Sequence, residues 1–159
     1  MKQKELSRWL RGIVVVGWFT CALLAWPIAP KLARDAAFDA PEMEGLIWPC
    51  LTFCWLGLVV VAVALWFAWQ IFGEIGRDNS FCRANARRLS VISKLALADT
   101  VLCILSIVVL LLLGAMHPGI LLMMLLIAVV GAGIAAAAAA LSHLTLKAAI
   151  LQEDSDLTV

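Results

Sequence analysis

Two side chains carry chemistry into stretches that are otherwise apolar: Asp99 and His143. A carboxylate and an imidazole can together move a proton or hold a cation, and a charged group inside a bilayer is costly unless paired or hydrated. Asp99 stands five residues after Lys94, about 8 Å along a helix, and His143 stands four before Lys147, about 6 Å. If the two lysines mark one membrane boundary, both residues lie at similar depth and an Asp99–His143 pair is geometrically allowed. Thr100, Ser142 and Thr145 are further partners for it. The plain role of such a pair is a hydrogen bond fixing two helices. The sharper one is a proton relay or a ligand site.

Other reactive constellations are missing from the sequence. Cys50 and Cys54 share a helical face, yet neither they nor Cys21, Cys82 and Cys103 form the Cys-x-x-Cys spacing of a redox centre. Small apolar lining is the expected role of the buried ones. His117, the only other histidine, falls at the opposite membrane face from His143, so the two cannot bracket a haem. There is no zinc-type cluster, no phosphate loop and no nucleophile elbow. No metal, no cofactor and no enzymatic activity are expected.

The second chemical grouping is basic. Arg83, Arg87 and Arg88, with Phe81 as an apolar anchor and Asn85 between them, lie in the connection from Glu74 to Lys94. Such a loop orients the chain and meets anionic lipid. It could also dock an acidic cytoplasmic protein. The tail Gln152–Val159 is acidic and expected to be free. Loop and tail charges oppose each other, so an internal contact between them would compete with any partner.

These residues need elements to hold them, and composition says which. Of 159 residues 64% are hydrophobic and 14% charged, with seven Trp, no Tyr and a net charge of +1. Mean hydropathy is +1.02. An ordinary soluble domain is about 45–50% apolar and about 25% charged. This chain belongs in a bilayer, and its near-zero net charge gives no reason to expect direct nucleic-acid binding.

A hydrocarbon core about 30 Å thick needs about 20 helical residues. Four segments qualify: 12–29, 46–72, 95–116 and 119–146. Together they fill the chain as a single all-α membrane domain, a four-transmembrane-helix bundle over residues 1–159. Ten of the twelve cations precede the first span, lie between the second and third, or follow the fourth. Only Lys31 and Arg34 fall on the other side. The positive-inside rule therefore places both termini in the cytoplasm. Trp9, Trp66 and Trp69 would mark the inner interface, Trp26 and Trp48 the outer. Cleavage of the first span as a signal is not expected, because Pro27 and Pro30 crowd the site after Ala29.

Connections follow from local chemistry. Residues 30–45, with Pro41, show no helical pattern. His117-Pro118-Gly119 makes a tight hairpin that forces the last two spans to be antiparallel neighbours. Asp78-Asn79-Ser80 offers N-cap side chains for one helix from about Phe81 to Met116. Gly131 with Ala135, Gly133 with Ala137 and Ala132 with Ala136 form small-xxx-small steps, which allow close packing within the chain or against a second copy.

The stretch Phe72–Phe81, then Asn85 and Leu89, and the closing Asp156-Leu157-Thr158-Val159 carry a resemblance. They resemble a bacterial domain-of-unknown-function family of four-helix inner-membrane proteins of about this length. Its members show a Phe-x-x-x-Asn step after a Gly/Asp/Ser turn, here Phe81 and Asn85. Genes of that family often stand beside a small Cro/CI-type helix-turn-helix regulator, which the resemblance implies as a partner. No catalytic residue comes with it. The expected function is therefore a non-enzymatic inner-membrane protein that partners or senses for a cytoplasmic regulator. The alternative is a small transporter or channel subunit using Asp99 and His143.

Overall fold

An apolar chain without water around its backbone must satisfy every N–H and C=O internally, and a helix does so within one segment. The computed structural model describes residues 3–39, 45–77 and 80–156, and they form an all-α protein with no strand among them. Helix α1 spans Gln3–Leu23 and passes through a π-helical turn, Leu24–Ile28, into α2, Ala29–Asp39. Then come α3, Ile47–Ile75, α4, Arg83–Leu112, and α5, Pro118–Asp156. With α1 and α2 taken as one rod, four helices are long and apolar enough to cross a membrane.

The first connection differs from expectation. Residues 30–39 continue the first rod as α2 instead of forming a loop, since alanines at 29, 33, 36 and 37 favour helix. Pro41, Glu42 and Glu44 lie outside the described residues.

The π turn has a cause and a consequence. Pro27 and Pro30 have no N–H, so the ladder cannot close normally across them. Ala29 N–H reaches back five residues to the Leu24 carbonyl. The Ala25 carbonyl thereby loses its usual donor, and the next candidate is Pro30. Trp55 of α3 fills the gap, its indole Nε1 donating to Ala25 O at 3.0 Å.

At the hairpin end α4 stops in a left-handed glycine, Gly114, with φ +65°. Gly114 N–H bonds Leu111 O and Ala115 N–H bonds Leu110 O, a Schellman closure. The turn thus lies at 113–117, just ahead of the expected His117-Pro118-Gly119. His117 instead caps α5: its Nδ1 accepts the Gly119 N–H at 3.2 Å, with Pro118 as first helical residue. At the other end α4 begins at Arg83 behind an extended Cys82 that makes no side-chain cap bond. The expected caps Asp78 and Asn79 lie outside the described residues.

Helices pack in chain order: α1 on α3, α3 on α4, α4 on α5. Among the described residues α1 and α5 do not touch, so the bundle is open and its edge helices present apolar faces outward. The tightest pair is α4 with α5, and its cause is a run of small side chains every three or four residues. Ala128, Gly131, Ala135, Ala138, Ser142, Thr145 and Ala149 line one face of α5; Ala86, Ser93, Thr100, Cys103 and Ile107 line the facing side of α4. This is the heptad spacing of a coiled-coil contact. Ser93 Oγ donates to Ala135 O at 2.8 Å, Ser142 Oγ to Ala86 O at 2.7 Å, and the Cys103 thiol to Met124 O at 3.4 Å. Gly131 is essential to the fit, because a Cβ there would sit 2.6 Å from Thr100 Oγ1. Gly133 points elsewhere, with nothing within 4 Å of a Cβ. Of the three small-residue steps, the one through Gly131 and Ala135 is the intrachain contact; Ala132, Ala136 and Ala137 are exposed.

Candidate functional site

The register of α4 against α5 decides the fate of the Asp99–His143 pair. Ala86 faces Ser142 and Ser93 faces Ala135, so His143 is level with Asn85. Asp99 is then about 21 Å further along α4, at about 1.5 Å per residue. His143 is exposed, and no hydrogen bond or ion pair joins it to Asp99 among the described residues. The expectation of a shared depth fails because Lys147 marks no boundary level with Lys94: α5 runs on to Asp156. Asp99 faces α3 instead, its Oδ1 lying 3.0 Å from where a Cβ on Gly57 would be. The absent side chain at Gly57 makes the room for that carboxylate.

The basic end, where α1 begins, α5 ends and α3 turns into α4, is where polar groups converge. Asn85 was expected to meet a partner or lipid, yet it is 1% exposed and works inside the protein. Its Nδ2 donates to Ser80 O at 3.1 Å, tying the α3–α4 connection onto the first turn of α4. Its Oδ1 accepts from Arg88 Nη1 at 2.9 Å. The same Nη1 lies 3.9 Å from Glu74 Oε1 on α3, and Arg77 pairs with that oxygen at 3.8 Å. Asn85 and Arg88 are therefore a clamp across α3, the connection and α4. Phe81 is exposed.

Arg83 reaches the far end of α5. Its Nε and Nη2 donate to the two Glu153 carboxylate oxygens at 3.0 and 2.7 Å, a bidentate pair. That hydrogen bonding, and then the carboxylate's charge, holds the Arg83 guanidinium above its ordinary pKa. The internal contact between loop and tail thus exists. The tail through Asp156 is helical where it was expected to be free, because it continues α5; residues 157–159 lie outside the described residues. Both side chains remain largely in the open, at 62% and 54% exposure.

Between α3 and the start of α4 lies a cleft of about 380 Å³ lined by Phe67, Arg83, Ala84, Arg87, Arg88 and Val91. Arg87 is exposed and has no hydrogen-bond or ion-pair partner among the described residues. Three guanidinium groups over an apolar floor can hold an anion that carries an apolar portion.

A second cluster at this end was not legible in the sequence. Trp18 of α1 stacks against Trp66 and Trp69 of α3, at 6.1 and 5.9 Å between ring centroids, and donates its indole N–H to Ala62 O. Arg11 lies 4.9 Å over the Trp69 ring, where Gly73 leaves space for it. Ser7 Oγ donates to Phe72 O at 2.6 Å. The Trp66–Trp69 step hinted at one face, but nothing in the sequence said that Trp18 would meet it. Among the described residues no group of three His, Cys, Asp or Glu side chains could hold a metal ion, and all five cysteines are free.

Residues 31–159, which begin within α2, match a family model described as "Protein of unknown function (DUF2975)". No curated protein and no solved structure matches the chain.

Proposed function

Because the chain belongs to the DUF2975 family, whose function is unknown, its role must come from its own surface, and we propose that it is a non-enzymatic multi-pass membrane protein that holds a cytoplasmic partner at its basic end. The observation that carries this reading is the exposed Arg83–Glu153 pair. It closes the α3–α4 connection onto the end of α5 with a contact that an acidic protein surface can replace. Arg87, beside it, needs no release. Exposed pairs of this kind contribute little to stability, so exchanging one carboxylate for another costs little.

In this reading the basic end faces the cytoplasm of a bacterial cell, by the excess of cations there. The partner is the small helix-turn-helix regulator that the family resemblance implies. The transporter alternative rests on Asp99 and His143 acting together, and the α4–α5 register, which sets them about 21 Å apart along the helices, does not favour it.

Affinity purification in mild detergent, with identification of what copurifies, tests the proposal. Arg83→Ala with Arg87→Ala should lose the partner, and so should moderate salt, which screens exposed charges beyond about 10 Å at 0.1 M. Glu153→Gln should capture more of it, since Arg83 is then free. Arg88 is unsuitable for this test because it belongs to the Asn85 clamp. An unchanged set of copurifying proteins in the double arginine variant would leave the basic end as a topology signal alone.

A further inference from the structure

The cleft between α3 and α4 has a definite depth. The hairpin-end termini of the spans are Ile47 on α3 and Leu112 on α4. About 20 residues of helix cross the hydrocarbon core. Counting that length inward reaches Phe67 on α3 and Ile92 on α4. The apolar floor of the cleft, Phe67 and Val91, therefore lies at the edge of the hydrocarbon. Arg87 and Arg88 stand four to five residues beyond it, about 6–8 Å at about 1.5 Å per residue. The headgroup layer on each side is about 5–7 Å thick, from a bilayer of about 40–45 Å around a core of about 30 Å. The guanidinium groups are thus at the level of lipid phosphates. Trp66 and Trp69 of α3 flank that edge, one residue inside it and two beyond it, as interfacial tryptophans do.

We infer that this cleft binds the headgroup phosphate of an anionic phospholipid, with one acyl chain laid on Phe67 and Val91. Arg87, which has no counter-ion among the described residues, supplies the first charge-assisted contact. Arg88, whose Nη1 is held by Asn85 and Glu74, has further N–H groups to offer, and Arg83 can swing in from Glu153. Guanidinium forks match phosphate oxygens in pairs, which a diffuse surface charge does not. A free phosphate would meet the same arginines but gains nothing from the apolar floor. The inference stands apart from the protein-partner reading, because the site needs only the purified chain and lipid.

The test uses the full chain, delipidated in a neutral detergent, with thermal unfolding followed against added lipid. Dioleoylphosphatidylglycerol should raise Tm saturably, and dioleoylphosphatidylcholine should not. Inorganic phosphate at equal concentration should leave Tm unchanged. Arg87→Ala should weaken the apparent lipid affinity about fivefold, as expected for one basic residue at a membrane surface. Arg87 makes no hydrogen bond or ion pair among the described residues, so this variant should keep the wild-type Tm without lipid. Equal shifts with both lipids, an equal shift with inorganic phosphate, or unaltered lipid affinity in Arg87→Ala would each overturn the assignment.

Discussion

At the residue scale, the informative contrast is between Asn85 and Asp99. Both are polar groups on α4, but only Asn85 is satisfied on both ends of its amide, by Ser80 O and Arg88 Nη1. Replacing it with Ala strips the half-buried Ser80 carbonyl of its donor and frees a guanidinium that helps hold Glu74. Losing such a partner costs about 1–3 kcal/mol. Asn85→Ala should therefore lower Tm in detergent by several degrees, and an unchanged Tm would show the clamp to be dispensable. Asp99 stands instead against the vacancy left by Gly57. Its chemistry belongs to the α3–α4 contact and not to His143.

At the element scale, backbone gaps and small residues explain why the helices sit where they do. Two prolines in the first rod open the ladder, and a tryptophan from α3 closes it again. Where lipid offers no hydrogen bond, that repair has to come from a neighbouring helix. The α4–α5 contact works by closeness. Gly131→Ala places a methyl 2.6 Å from Thr100 Oγ1, and overpacking of this kind costs about 1–3 kcal/mol. Gly133→Ala meets nothing and replaces a poor helix former, so its stability should hold or rise by up to about 1 kcal/mol. Thermal unfolding of the two variants side by side checks the pair. Equal losses would mean that Gly133 also packs, against a second copy of the chain.

At the scale of the whole molecule, one end gathers the arginines with the start of α1 and the end of α5, while the other holds α2 and the glycine-closed turn between α4 and α5. This polarity predicts which end faces the cytoplasm. In a cysteine-free background, Arg83→Cys should resist an impermeant maleimide added to intact cells and react once the membrane is opened. Labelling from outside would reverse the orientation. The openness of the bundle adds to the picture. With α1 and α5 apart among the described residues, the apolar faces of the edge helices are covered by lipid or by another chain.

The sequence determined the number of spans, the all-α class and the end where the charges collect, because length of apolar run and count of cations are properties of the chain itself. It also held the small residues of the α4–α5 contact, yet three equivalent steps could be drawn through Gly131, Gly133 and Ala132. Only packing chose among them, since a helix shows every face in sequence and buries one. Depth was decided the same way. Lys94 and Lys147 look like matching boundaries when each helix is considered alone. Ser93 on Ala135 and Ser142 on Ala86 set a different register, and it removed His143 from the membrane level of Asp99. Asn85 shows the same limit on one side chain: a polar residue among arginines resembles surface until the chain folds Ser80 and Arg88 onto it.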